Sequence, residues 1–333
     1  MPNVMPTVAK TTIHASQFPD AIRRALRDSL RSRRINPKFH YESVKQVGKW
    51  LALHQACSPS RAEASCGRAY ELGFEAAAAR LAGPRIHLVG LGCGGGRKDA
   101  ALLRRLHAPG REVFYTPVDV SLAMVLEGWQ SAMAEIPESN CLPLVCDLAA
   151  TEDLAAVLEE PRAARAARIY TFFGMIPNFE PGTILPRLGA LVRAKDLLLF
   201  SANLAPGADY AAGVRHILPQ YDNALTRDWL ITLLLDLGVE ATDGAMRFCV
   251  EADPEGKGLE RVAAYFDFAH PRCLKVEGER FAFEPGDSLR LFFSYRYTPE
   301  KVRAALAPQG LQVLAQWLAD SGEEGVFLVE RAK

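Results

Sequence analysis

The sequence lacks an excess of charge of either sign: 39 Lys and Arg stand against 39 Asp and Glu. Proteins held to nucleic acid or to a membrane surface by their net field carry a basic surplus, so neither partner is expected. The basic stretch IRRALRDSLRSRR contains Asp28 and follows Asp20, and reads as a solvated helix face. No apolar run approaches the roughly 18 residues of a membrane span, and MPNVMPTVAKTTIHAS has no continuous apolar segment of a secretory signal. A cytoplasmic location is the default. The seven cysteines, an odd number without a C-x-x-C pair, exclude a disulfide framework and read as reduced, mostly buried thiols. His270-Pro-Arg-Cys273 has a possible metal spacing but no second pair, so no metal is expected. Internal repeats and low-complexity segments are absent too.

What is present is an ordinary globular chain of 333 residues, 49% hydrophobic, enough for one large domain or two. The pattern is helical at first, with Phe18, Ile22, Leu26 and Leu30 on one stripe, then Val44, Val47 and Leu51 on another. A further helix opens with a capping box from Ser60 to Glu63 and ends at Gly83. Next comes IHLVGLGCGGGRKDAALLRRL, in which Gly90, Gly92 and Gly95 satisfy G-x-G-x-x-G. That spacing suits a dinucleotide, but a glycine turn between strand and helix also seats S-adenosylmethionine (SAM), and the motif alone does not choose. RIHLVGL, EVFYTPVD, CLPLVCD, RIYTFFG and DLLLFSANL read as strands, separated by helical RKDAALLRRLHA, SLAMVLEGWQSAMAEI, TEDLAAVLEE and GTILPRLGALVR. Near-continuous apolar strands alternating with helices predict a parallel sheet covered on both faces, with ligands outside its carboxyl ends.

The alternation stops after about residue 206. Helices through YAAGVRHILPQYDNALTRDWLITLLLDLGVE and antiparallel runs ERVAAYFDFA, CLKVEGERFAF and SLRLFFSYRYT follow, the second turning at Glu277-Gly278. A helix with Pro299 in its first turn and the strands LQVLAQWLAD and GVFLVERA end the chain. A parallel sheet closed by a helix and an antiparallel hairpin is the layout of class I SAM methyltransferases, an α/β, Rossmann-like fold. The expected core is 60–206 plus 296–333. A second, α+β substrate domain takes 14–59 plus 207–295, and 1–13 is expected to be disordered.

Asp119, closing the second strand, can accept both ribose hydroxyl protons of a nucleoside cofactor. Asp147, after the third, can accept the adenine amino group; either carboxylate could instead cap a helix. Lys98, two residues past the glycines, could pair with the carboxylate of the SAM methionyl group or stand exposed. Asn178 lies just past the fourth strand, and Tyr221 and Asp222 lie in the inserted helices.

In order, LGCGGGRKDAALL, YTPVDVSLAM, LVCDL, FFGMIPNF, QYDNALTRDWL and SLRLFFSYRYTPEKV resemble the ergothioneine-pathway histidine Nα-methyltransferase family, which includes a fungal dimethylallyltryptophan N-methyltransferase. The resemblance runs from about Pro37 to the C-terminus. It implies that Gly92, Lys98, Asp119 and Asp147 contact SAM with Leu148 beside the adenine. It also implies that Asn178 and Tyr221 hold the substrate carboxylate and that Tyr41 lies near the substrate amine. The departures cluster at the other end of the substrate. Phe292 stands where the histidine enzymes carry a glutamate, while Ser294 remains; Ser58 replaces a tyrosine; Met175 and Pro177 replace a threonine and a glycine; and Arg261 replaces a pocket methionine. A buried imidazole without its acceptor would leave an unpaired N–H.

The expectation is a SAM-dependent N-methyltransferase, yielding S-adenosylhomocysteine, that acts on the amine of an amino acid or related carboxylate-bearing small molecule other than histidine, in secondary metabolism, as a monomer or homodimer. Phe292 favours an apolar or aromatic side chain, and Arg261, if it lines the pocket, an anionic one. An NAD(P)-dependent oxidoreductase and a SAM-binding protein without catalysis are the alternatives.

Overall fold

The computed structural model describes residues 8–57 and 63–333. The chain divides into two compact units, one of Met1–Gln17, Pro59–Leu204 and Pro299–Lys333, the other of Phe18–Ser58 and Ala205–Thr298. Ser58 and Ser60, and with Ser60 the expected capping box, lie outside the described residues.

The first unit is built on an eight-stranded sheet. Its strands are β1 (Thr12–Ile13), β2 (Arg85–Leu91), β3 (Glu112–Asp119), β4 (Leu144–Val145), β5 (Ala167–Phe172), β6 (Leu197–Asn203), β12 (Leu311–Leu318) and β13 (Glu324–Arg331), in the order β1-β4-β3-β2-β5-β6-β13-β12. All neighbours from β1 to β6 run parallel, and β13 is antiparallel to both β6 and β12. This is the class I methyltransferase topology expected from the alternation of apolar runs. The helices here are α3 (Ala64–Arg80), α4 (Arg97–Leu106), α5 (Leu122–Ala132), α6 (Leu154–Val157), α7 (Pro181–Leu191) and α10 (Pro299–Leu306). Tyr70, Phe74 and Ala77 of α3, Leu102, Leu103 and Leu106 of α4 and Trp129 of α5 pack with Ile86 and Leu88 in one buried cluster. Each large apolar side chain so buried contributes about 1.5–3 kcal/mol.

Three expectations need correction. Residues 12–13 are ordered, because the edge of β4 offers unpaired carbonyls: Thr12 N–H donates to Pro143 O and His14 N–H to Val145 O, each at 2.9 Å. Residues 14–17 accordingly belong to the first unit. CLPLVCD yields only the two residues of β4, since Pro143 has no N–H to give a ladder. TEDLAAVLEE likewise keeps a single turn, α6.

In the second unit, β7 (Gly244–Ala252), β8 (Glu260–Phe268) and β11 (Ser288–Arg296) form a three-stranded antiparallel sheet with β8 in the middle. β9 (Arg272–Val276) and β10 (Glu279–Phe283) make a separate hairpin, turning at Glu277 and Gly278, whose φ values of 51° and 83° suit a tight primed turn. The helices are α1 (Pro19–Ser32), α2 (Val44–Cys57), α8 (Tyr210–Tyr221) and α9 (Ala224–Asp236). Leu30, Phe39, Trp229, Leu230, Phe266, Leu289 and Phe292 share its core. β11 carries an irregularity between Arg290 and Phe292. The extra residue reverses the alternation, so that Phe292, Ser294 and Arg296 follow Leu289 onto one face of the sheet. Arg290, Phe293 and Tyr295 occupy the other face.

Candidate functional site

In the first unit, the carboxyl ends of β2 and β3 are tied to the glycine loop by a single side chain. Asp119 accepts from Gly94 N–H at 3.1 Å through Oδ2 and from Ser121 N–H at 3.0 Å through Oδ1. Burial pushes its carboxyl up to about 6, against the pull of those backbone donors. The loop needs glycine for two reasons. Gly92 has φ of +65° and a Cβ there would lie 2.7 Å from Met175 Cε, while Gly96, at φ of +67°, would drive a Cβ to 2.5 Å from Gly128 Cα in α5. Met175 is thereby placed against the glycine loop.

Asp147 does cap a turn: its Oδ1 accepts from Ala149 N–H at 3.0 Å and Ala150 N–H at 3.1 Å. Its own N–H donates to Ser16 Oγ at 3.0 Å, so the segment after β1 fixes the β4 loop. Leu148 beside it is buried. Both aspartates combine a local backbone role with a position at the carboxyl edge of the sheet.

Lys98 sits in a polar cluster that sequence reasoning missed. Its Nζ donates to Tyr70 Oη at 2.6 Å, lies 3.9 Å above the Tyr70 ring centroid and stands 3.8 Å from Glu324 Oε1. Tyr70 in turn donates to Glu324 and lies 2.7 Å from Ser201 Oγ, which accepts from Gly174 N–H at 2.8 Å. Burial, then the Glu324 charge, raises the Tyr70 phenol well above its usual range, so it stays a neutral donor. Beneath the loop, Asp99 accepts from Tyr115 at 2.7 Å and Thr171 at 2.7 Å. Its carboxylate fills the space beside Gly90, where a Cβ would lie 2.2 Å from Oδ2. Burial pushes Asp99 up to about 6, with Thr171 and Tyr115 opposing. A polar residue inside an otherwise apolar strand, as with Tyr115, Thr171 and Ser201, was the available signal.

Asn178 ends a 3-10 turn, Ile176–Asn178, after β5. Its Nδ2 donates to Gly174 O at 3.3 Å, which fixes the amide orientation, and its Oδ1 is buried without a hydrogen-bond partner among the described residues.

In the second unit, Tyr41, Tyr221, Phe292 and Ser294 are brought together around Trp229. Phe292 is 5.9 Å from Tyr221 and 5.9 Å from Trp229 between ring centroids; Trp229 is 5.5 Å from Tyr41, and Tyr41 is 5.9 Å from Trp50. The Tyr41 segment is pinned because Trp229 Nε1–H donates to His40 O at 3.0 Å and His40 Nε2 bonds Leu291 O at 2.7 Å. Burial lowers His40 to about 4, leaving a neutral imidazole that donates from Nε2. Tyr221 Oη donates to Ser294 Oγ at 2.9 Å and accepts from Arg296 Nη2 at 2.7 Å. Arg261 does not join this group. It pairs in register with Tyr295, on the opposite face of the sheet from Phe292, and is held by Glu251 at 2.6 Å and by Tyr295 Oη at 3.0 Å.

A model of the family described as "Histidine-specific methyltransferase, SAM-dependent" matches residues 59–331. The chain belongs to this family. It is 26% identical over 318 residues to a histidine N-alpha-methyltransferase of Mycobacterium tuberculosis, covering 89% of this chain and 90% of the relative. It is 24% identical over 237 residues to the N-methyltransferase fsqC of Aspergillus fumigatus, covering 69% of this chain and 62% of that protein. Among solved structures, a SAM-dependent methyltransferase from Clostridium acetobutylicum covers 86% of this chain and 99% of its own, with 12% identity and a TM-score of 0.46.

The protein is therefore a SAM-dependent methyltransferase, and the nicotinamide alternative falls. The residues present fit the cofactor. A buried carboxylate at the end of β3 suits a vicinal diol, and the left-handed glycine turn brings backbone to the same edge. Among the described residues no helix is long and apolar enough to cross a membrane.

Proposed function

We propose that this methyltransferase transfers methyl groups to the amine of an amino acid, or a related small molecule bearing a carboxylate, whose side chain is apolar or aromatic and is not imidazole. The observation that supports this reading is Phe292. It is 7% exposed and packed against Tyr221 and Trp229, in the place where the resemblance puts a glutamate for histidine. An imidazole N–H against that ring would lose its water without gaining an acceptor, at a cost of about 1–3 kcal/mol. An aromatic side chain would gain about 0.5–1.5 kcal/mol per ring pair beyond simple burial. Arg261, on the other face and neutralised by Glu251, gives no support to an anionic side chain.

SAM supplies a methyl group on a sulfonium, already activated for displacement. In this reading Asp119 holds the ribose, Asp147 and Leu148 the adenine, and Lys98 and the Gly92 turn the methionyl end. The remaining task of the chain is alignment, which can supply roughly 7–11 kcal/mol of the barrier. Tyr221 donates to the acceptor carboxylate. Asn178, in the first unit, has a second amide N–H to offer a carboxylate and a buried Oδ1 to offer an amine. The amine, protonated at neutral pH, must release a proton before attack. Tyr41 orients it, and the proton leaves through Tyr41 or to solvent.

The test is mass spectrometry of reactions with SAM and a panel of amino acids and their decarboxylated amines. A mass gain of one or more methyl groups on aromatic or aliphatic amino acids is expected. Turnover of histidine and of no other amino acid would overturn the argument from Phe292.

A further inference from the structure

Arg296 was not singled out by the sequence, and nothing above gives it a role. It ends β11, two residues past Ser294 and four past Phe292, so the pleat stacks the three on one face. Its side chain is buried, at 5% exposure, and Nη2 donates to Tyr221 Oη at 2.7 Å, with the guanidinium carbon 5.3 Å from the Tyr221 ring centroid.

We propose that Arg296 is a positioning residue for the acceptor carboxylate, acting through Tyr221. A phenol has one proton and two lone pairs. Once Arg296 fills a lone pair, the Tyr221 proton must point away from it. In the protein it points to Ser294 Oγ, 2.9 Å away. A hydroxyl so arranged is a committed donor, and its partner is an anion or a neutral acceptor. The buried guanidinium adds the preference for the anion, because a positive charge behind the phenol strengthens the O–H dipole and attracts a carboxylate through a low-dielectric interior. Ser294, which is 1% exposed, serves as the resting acceptor and can rotate its own hydroxyl towards the same ligand. Arg296 thus sets the chemical class at this end of the site: a carboxylate is favoured over a carboxamide, an ester or no group at all.

This assignment rests on the carboxylate-bearing acceptor proposed above, and the experiment separates the two. The probes are acid and amine pairs: L-phenylalanine with phenethylamine, and L-tryptophan with tryptamine. The readout is kcat/KM for the acid divided by that for the amine. The unaltered protein is expected to favour the acids. Arg296→Gln is expected to lower the ratio on the order of 10- to 100-fold, through KM of the acid more than through kcat. Arg296→Lys, which keeps the charge but not the planar fork, retains most of the ratio. Tyr221→Phe lowers it as well, and adding Arg296→Gln to Tyr221→Phe lowers it little further, because the two act as one unit.

Each failure has its own signature. No preference for acids in the unaltered protein, or no methylation of any probe, overturns the carboxylate reading and this assignment with it. A normal preference that survives Arg296→Gln overturns the assignment alone. Equal loss on acid and amine makes Arg296 merely structural and also overturns it. Should Arg296→Gln not fold, a folded Arg296→Lys that has lost the acid preference overturns the charge argument.

Discussion

The titration of Asp119 should be visible in the binding of the cofactor product. Burial lifts its carboxyl from the ordinary 3.8 to about 6, while two hydroxyls of a bound ribose would stabilise the ionised form and draw it back towards 4. Binding then releases a proton near pH 6. The dissociation constant of S-adenosylhomocysteine should be flat above pH 7 and about tenfold weaker at pH 5. The sign for stability is the reverse. With the folded value above the unfolded one, the folded protein binds the extra proton between pH 4 and 6. Stability therefore falls as pH rises through that window, and the cost is constant above it. A shift of this size costs about 3 kcal/mol. Asp119→Asn should weaken S-adenosylhomocysteine by tenfold or more and flatten its pH dependence, with no gain in melting temperature at pH 7.5, because the amide has one acceptor oxygen for the two backbone N–H groups of Gly94 and Ser121. Calorimetry in two buffers of different ionisation enthalpy, from pH 5 to 8, measures both affinity and proton release. Asp99 is also pushed to about 6, so Asp99→Asn is the control. A pH dependence that persists in Asp119→Asn and vanishes in Asp99→Asn would refute the assignment of the ribose to Asp119.

Gly90→Ala should destabilise the protein by about 1–3 kcal/mol, since its Cβ would lie 2.2 Å from Asp99 Oδ2. Combined with Asp99→Ala the losses should fall short of their sum in chemical denaturation, and strict additivity would show that the two do not share the space. Arg261→Ala removes one of the partners of Glu251, which keeps the Tyr265 hydroxyl and Arg290, and should cost about 1.5–3 kcal/mol with the order of acceptor preference unchanged; a stable protein with a new preference would place Arg261 in the site after all. Phe292→Glu should reduce methylation of aromatic acceptors at least tenfold and raise the relative rate on histidine, and an unaltered preference in competition assays would remove Phe292 from acceptor selection.

Much of the first unit could be read directly from the chain. RIHLVGL and EVFYTPVD match β2 and β3 residue for residue, because a strand buried on both faces must be apolar almost throughout. The glycine loop, Asp119 and Asp147 follow, since strand ends in a parallel sheet lie where the apolar run stops. β7 was not foreseen. GAMRFCVEA lies at the edge of its sheet, half-buried along most of its length, and the alternation that marks a strand is correspondingly blurred. The cluster of Lys98, Tyr70, Ser201 and Glu324 was harder to see, because its members come from four elements and only Ser201, polar within an apolar strand, carries a local sign of it.

The sequence by itself determined the parallel character of the sheet and its antiparallel close, through local apolar periodicity, and the cofactor and the family, through the resemblance of short motifs whose chemistry sits next to their own strand. Tertiary structure alone decided which side chains share a face. The irregularity at Arg290/Phe292 turns Phe292, Ser294 and Arg296 towards Tyr221 and leaves Arg261 with Glu251 behind the sheet. A one-residue change of register reverses every side chain that follows it, and no spacing in the sequence records which way it goes.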